Sequence, residues 1–235
     1  MRKKLLWSLW TVALVLALAA LCLPDTDAVT TGSRPIKGYL ALTFDDGPRP
    51  GNTTRLLDVL AERDVKATFF LIGKQVEACR PQVERMAAEG HQIGLHSWDH
   101  VELDHMTPEQ IAAQLDPNRA QLEEITGSDH LMLRPPYGLT DDTLKEAAHA
   151  PIIRWSVDPE DWRDRNTGRI IREVEDKAED GAIILMHDLY DSSVQAAAAL
   201  IDELKGEGYE FVTVEELFAL RGVVPQAGHI YNRLP

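Results

Sequence analysis

Cysteine is nearly absent: the 235-residue chain has two, Cys22 and Cys79. Cys22 falls in an apolar leader. The rest of the chain then holds a single thiol and forms no intrachain disulfide, so its fold must stand on a hydrophobic core alone. Positive charge is also short. Lys and Arg number 24 against 38 Asp and Glu, for a formal net charge of −14. This balance argues against nucleic acid, and against a polyanionic substrate held by bulk electrostatics. A neutral or cationic polymer is tolerated. No basic stripe, glycine-rich phosphate loop, internal repeat or low-complexity segment is found, and no protein partner is implied.

What is present begins with Met1-Arg2-Lys3-Lys4 and an apolar run from Leu5 to Leu23, interrupted by Ser8 and Thr11. A basic start before such a run is an export pattern. The run is long for a signal peptide and about long enough to span a membrane as a helix. Thr26-Asp27-Ala28 offers a small-residue cleavage site. Residues 1–28 are expected to be a signal peptide, with an uncleaved anchor as the alternative. The positive flank puts the remainder outside the cytoplasm in either case, secreted or membrane-anchored. Membrane contact is expected through this segment alone. Cys22 follows Leu21, which is too large for a good lipoprotein signal, and reads as one more apolar residue. Residues 29–35 read as a linker and 36–235 as one domain, a comfortable size.

Within that domain apolar runs alternate with amphipathic stretches. Strands are expected at Gly38–Phe44, Ala67–Ile72, Gln92–His96, Leu131–Leu133, Ile152–Val157, Ala182–Met186 and Tyr209–Val212. Helices are expected near Thr53–Arg63, Gln75–Glu89, Pro108–Ile125, Asp141–Ala148, Gly168–Glu179, Val194–Glu207 and Val214–Leu220. Thr107-Pro108 and Asp141 suit helix starts, and Gly90, Gly127 and Gly208 suit stops. The strands are continuously apolar, which implies burial on both faces. Strict alternation argues for βα units and a parallel sheet. About seven units suit a closed or nearly closed barrel.

Ionisable residues follow the strands: Asp45-Asp46, His96, Arg134, Asp158 and Asp161, and His187. In a β/α barrel those strand ends converge on one rim, where active sites sit. A buried strand has no structural need to end in Asp or His. His96 and His100 are spaced i, i+4; on a helical turn both rings would share a face. With Asp46 they make a three-donor set for a divalent metal. Zn²⁺ suits it best, while Co²⁺, Ni²⁺ or another divalent ion fits the same donors. Asp45 is then a spare carboxylate for moving protons.

Each feature has a plainer reading. Asp45-Asp46-Gly47-Pro48 could be an ordinary turn, although two adjacent like charges repel and a metal would relieve them. Arg134 could be a surface arginine before Pro135-Pro136; after a buried strand it better suits a grip on a carboxylate. Trp162 could pack over the barrel top. His187 could be structural; as a proton donor it needs a carboxylate such as Asp161. His91, His105, His130, His149 and His229 read as surface residues. Asp99 and Glu102 are weaker candidates to support the ligands.

Thr43-Phe-Asp-Asp-Gly-Pro48, His96-Ser-x-x-His100, Arg134-Pro-Pro-Tyr137, Asp158-x-x-Asp-Trp162 and Leu185-x-His187 resemble, in order, the motifs of the polysaccharide deacetylases, the NodB-homology group of carbohydrate esterases. The resemblance covers roughly residues 36–220. It implies a distorted (β/α) barrel, TIM-like, and a metal-dependent hydrolase. It implies Asp45 as the base, and Asp46, His96 and His100 as ligands of one divalent ion. Arg134 would orient the base, and the Tyr137 N–H would stabilise the oxyanion. Asp161 would support His187, the general acid. Trp162 and Leu185 would wall the acetyl pocket. The implied substrate is an acetylated polysaccharide with GlcNAc or MurNAc units. Alternatives are O-deacetylation of acetylxylan and, from another class, a non-catalytic glycan-binding domain.

Overall fold

A computed structural model describes residues 35–235. The expected leader and residues 29–34 of the expected linker lie outside the described residues. Among the described residues no helix is long and apolar enough to cross a membrane.

The apolar runs form parallel strands. β1 is Gly38–Asp45, β2 Thr68–Leu71, β3 Gln92–Leu95, β4 Ile152–Ile153, β5 Ile183–His187, β6 Tyr209–Val212 and β7 Ile230–Tyr231. The main sheet runs β3-β2-β1-β5, and β6 pairs with Gly38–Ala41 of β1. The fold is the expected α/β class, but ladder hydrogen bonds do not close a barrel. Leu131–Leu133 supplies one bridging residue in place of a strand: Leu133 bridges Leu95 and Ile152. The run Ile152–Val157 shrinks to β4 and a single bridge from Val157 to Ile184. Pro151 and Pro135 bracket these short pieces, and proline has no N–H to give a ladder. β7, which pairs with β4, was not expected.

Side-chain alternation sets the layers. Leu40, Leu42 and Phe44 of β1 join the large cluster that also holds Leu56, Leu57, Leu200 and Ile201 of two helices. Ala41 joins a second cluster with Phe70, Met132, Ile153 and Ile183. Successive strand residues point to opposite faces, so Thr43 and Asp45 share the Ala41 side. Val214, Leu217 and Phe218, from the helix Val214–Leu220, pack into this second cluster. Each large apolar side chain so buried contributes roughly 1.5–3 kcal/mol.

The helices begin and end on the expected signals. Thr107 and Gln110 form a capping box ahead of Pro108–Thr126, and Gly127 closes it in the left-handed region at φ 69°. Asp141 caps Asp142–Ala147, and Gly208, at φ 101°, ends Asp191–Glu207. The stretch Gln75–Glu89 is not one helix. It divides into Gly73–Val76, a 3-10 turn Glu77–Cys79, and Arg80–Ala88. Pro81 stands in the first turn of the last piece, where its missing N–H is harmless, and so marks a start.

His91 corrects the surface reading. It is buried, its Nδ1 accepts the Ala67 N–H at 3.1 Å, and its ring meets Phe69 edge-on. Burial pulls its pKa down to about 4. His105, His130, His149 and His229 are exposed.

Candidate active site

The alternation that buries Ala41 also buries Asp45, the last residue of β1, beneath the rim. Arg134, following the Leu133 bridge, lies wholly inside the protein. Its Nη1 donates to Asp45 Oδ1 and to Thr43 Oγ1, each at 2.7 Å. Nη2 and Nε donate to the carbonyls of Arg154 and Ile153 at 2.9 and 3.1 Å. The guanidinium lies over the Phe70 ring, 4.2 Å from its centre. Burial works against its charge, which the Asp45 carboxylate supports. Four of the five N–H donors of the fork are thereby paired, which offsets the cost of burying the charge.

Asp46 takes a left-handed conformation at φ 68°, and both carboxylates approach His96 Nε2, Asp46 Oδ1 at 3.2 Å and Asp45 Oδ2 at 3.9 Å. Gly47 is required by close approach: a Cβ there would lie 2.6 Å from the Asp188 carboxylate. Asp46 Oδ1 sits 3.2 Å from His96 Nε2 and 3.0 Å from His100 Nε2. The geometry is that of a tripod, but not for the expected reason. His96 to His100 is a loop without a helical turn, with Ser97 and His100 at φ 59° and 60°. The helix Pro108–Thr126 shapes it: Gln114 accepts the N–H groups of Trp98 and Asp99, and Asn118 donates to Ser97 O. The Asp99 carboxylate faces Lys74 and Gln114, and Glu102 is exposed, so neither supports the ligands.

The donor set fits a cation. His96 Nδ1 lies 2.6 Å from the carbonyl of Arg134, which can only accept, so Nδ1 carries the proton. A neutral His96 then points the Nε2 lone pair at Asp46 Oδ1. That oxygen is buried and has no hydrogen-bond partner. Lone pair against lone pair needs a positive charge between them. Protons on the facing imidazole nitrogens would serve the same end: burial raises the Asp46 pKa, but hydrogen bonds from His100 and His96 outweigh it and hold the carboxyl far below its usual range. Asp46, His96 and His100 are also the one His/Cys/Asp/Glu group among the described residues whose donor atoms cluster tightly enough for a metal.

Opposite the tripod stands His187, the last residue of β5, with Nε2 4.0 Å from Asp46 Oδ2. Its Nδ1 lies 2.7 Å from Asp161 Oδ1. Asp161 opens a short helix, Asp161–Asp164, that the sequence pattern did not reveal. Tyr137 is exposed, takes φ 59°, and meets the His100 ring edge-on. Trp162 is half exposed and Leu185 is buried. These groups, with Asp158, line one cavity of about 410 Å³. Every predicted site residue except Arg134 and Asp161 faces it, and those two sit directly behind Asp45 and His187. Sequence reasoning missed Trp155 and Tyr190 in the wall, and Asp188 beneath the turn. Asp188 accepts the Thr53 hydroxyl, and burial pushes its pKa up to about 7.

Comparison with known proteins gives this geometry a family. Residues 32–152 match the family model described as polysaccharide deacetylase. The chain is 40% identical over 195 residues to a peptidoglycan-N-acetylglucosamine deacetylase, PgdA, of Listeria monocytogenes, covering 83% of this chain and 41% of that protein. The chain thus spans about two fifths of that relative's length. A peptidoglycan-N-acetylglucosamine deacetylase of Bacillus cereus is 36% identical over 186 residues, covering 76% of this chain and 87% of the relative. A family 4 acetyl xylan esterase from Clostridium thermocellum, solved with a cobalt ion, superimposes with a TM-score of 0.80 at 34% identity, over 84% of this chain and 99% of that one. Sequence match, superposition and the clustered Asp46, His96 and His100 agree, and the chain belongs to the polysaccharide deacetylase family.

Proposed function

We propose that this chain hydrolyses N-acetyl groups on GlcNAc- or MurNAc-type polysaccharide, peptidoglycan or chitin-like, and releases acetate. One observation carries the reading: an Arg134-held carboxylate, Asp45, and an Asp161-held imidazole, His187, face one cavity around a three-donor cation site. Relatives named as peptidoglycan deacetylases support the substrate class.

Asp46, His96 and His100 would hold one divalent ion, Zn²⁺ first and Co²⁺ as the alternative. When bound, such an ion polarises a carbonyl and makes water a better nucleophile near neutral pH. The chain's own residues do the rest. Asp45 accepts the proton of the water that attacks the acetamide carbon. Arg134 keeps Asp45 charged and aimed. The Tyr137 N–H donates to the oxyanion that forms. His187 gives its Nε2 proton to the sugar nitrogen as the C–N bond breaks, leaving acetate and a free amine. Leu185 and Trp162 bound the space for the methyl group.

The same groups would cleave an acetyl ester, and the superposition on an acetyl xylan esterase favours that as the second reading. A glycan-binding role without catalysis needs neither base nor acid, and both are in place. We further propose that the chain acts outside the cytoplasm, secreted or anchored by its N-terminal run, which suits a cell-wall substrate. Acetate release measured side by side on peptidoglycan, chitooligosaccharide and acetylxylan tests the function. Release from the first two beyond acetylxylan is the expected result, and the reverse order would favour the esterase.

A further inference from the structure

Beside the catalytic cavity lies a second, of about 470 Å³, lined by Arg165, Thr167, Leu189, Tyr190, Asp191, Ser192 and Gln195. Tyr190 belongs to both linings, so the two cavities adjoin across one aromatic wall. An aromatic ring flanked by hydroxyl and amide groups suits a sugar, which has an apolar face and a polar edge. Ser192 Oγ is buried with no hydrogen-bond partner.

The charges there are uneven. Nearby, Arg163 pairs with Glu160 and Arg169 with Asp164. Asp191, the acid in the cavity lining, pairs with Arg55. Arg165 has no carboxylate within salt-bridge reach among the described residues. It sits at φ 54° between the helices Asp161–Asp164 and Thr167–Glu175, with its guanidinium 4.3 Å from the centre of the Tyr190 ring. Other described cations, Arg49 and Arg172 among them, also lack a carboxylate partner; Arg165 differs in lining a cavity that adjoins the catalytic one.

We propose that this second cavity is a saccharide subsite for a sugar unit that carries a carboxylate, and that Arg165 grips that carboxylate. The planar fork matches a carboxylate bidentately, and the Tyr190 ring holds the fork in place. The assignment rests on the deacetylase reading and extends it from the cleaved unit to its neighbour. It also removes a tension: the protein's overall charge repels an anionic polymer, while one local cation selects the anionic unit.

The test uses acetylated oligosaccharides of one length in three forms: neutral throughout, with a lactyl carboxylate on alternate units, and with that carboxylate converted to a carboxamide. The wild type should favour the carboxylate form over the carboxamide by about two- to fivefold in kcat/KM, as one exposed charge-assisted contact allows. Salt should shrink the preference. Arg165→Gln should erase it, costing the carboxylate form more than the neutral and carboxamide forms, and Arg165→Lys should restore part of it. Equal treatment of carboxylate and carboxamide by the wild type, or an equal loss on all three substrates in Arg165→Gln, would overturn the assignment. Should no form release acetate, the deacetylase reading falls and calorimetric binding of the same three forms decides the subsite. Carboxylate-selective binding lost in Arg165→Gln upholds it, and binding indifferent to Arg165 removes it.

Discussion

Asp161 grips His187 twice: Oδ1 lies 2.7 Å from the ring Nδ1, and Oδ2 accepts the backbone N–H at 2.9 Å. Ser193 Oγ donates to the same Oδ2 at 2.5 Å, inside a fully buried pocket. One carboxylate thus fixes both the orientation of the ring and its tautomer. The exchangeable proton is left on Nε2. Burial pulls the His187 pKa down, but the hydrogen bond and charge of Asp161, aided by Asp45 and Asp46, lift it to about 9.

A bell-shaped pH dependence follows, with His187 setting the alkaline limb. A bound dication offsets the Asp46 charge, so the limb should fall below about pH 9 in the loaded enzyme. Asp161→Asn should move it acidward by about one unit or more. In the metal-free protein the raised pKa also bears on stability. The contribution of the His187 pair is complete below the ordinary value of 6.5 and is lost as pH rises through about 9. The Tm gap between wild type and Asp161→Asn should therefore narrow across that window. Profiles of kcat/KM and Tm against pH check both; an alkaline limb unmoved by the substitution would take His187 out of the acid role.

Asp45 and Asp46 are neighbours to which the proposed mechanism gives separate duties. Asp45→Asn should keep the metal and lose about 10²–10⁴-fold in kcat, because an amide cannot take the proton of water. Asp46→Asn should lower metal occupancy instead. Metal content by mass spectrometry, beside the kinetics, separates the two. The opposite pattern would swap base and ligand.

Arg134→Ala should harm stability as well as rate. It leaves Asp45 charged, buried and unpaired, at a cost of about 3–5 kcal/mol. Arg134→Lys keeps the charge but cannot reach Asp45, Thr43 and two carbonyls at once. It should recover part of the stability and little of the activity. Chemical denaturation read against acetate release checks this, and a fully active lysine variant would deny the fork its aiming role.

His91 predicts acid sensitivity away from the site. Its folded pKa of about 4 lies below the ordinary 6.5, so the unfolded chain binds the proton first. Its contribution to stability is intact above pH 6.5 and declines as pH falls toward about 4. His91→Gln should flatten the drop in Tm over that range. An equally steep drop in the variant would assign the acid sensitivity to other groups.

Much of this was legible in the sequence, for physical reasons. Buried parallel strands must be apolar throughout, so Asp45 and His187 stand out at their ends. The motif order singled out Asp45, Asp46, His96, His100 and His187, which the fold brings around one cavity. The local geometry was less legible. His96 and His100 converge through left-handed residues and contacts from Gln114 and Asn118, and an amide on a helix face carries no signal of what it holds. Trp155 and Tyr190 are single aromatics on loops, without a period or partner to mark them. His91 looked like a surface residue because Glu89, Gly90 and Gln92 surround it, yet its ring turns inward. β7 is two residues long, too short for any pattern.

The central claim is that a cation held by Asp46, His96 and His100 is needed for deacetylation. Its most direct test is acetate release from an N-acetylglucosamine oligomer by protein stripped with a chelator and then titrated with Zn²⁺ or Co²⁺, for wild type and His100→Ala. Release should vanish on stripping and return with one equivalent of metal in the wild type, and fail to return in the variant at that concentration. Undiminished release from the stripped wild type would contradict the account.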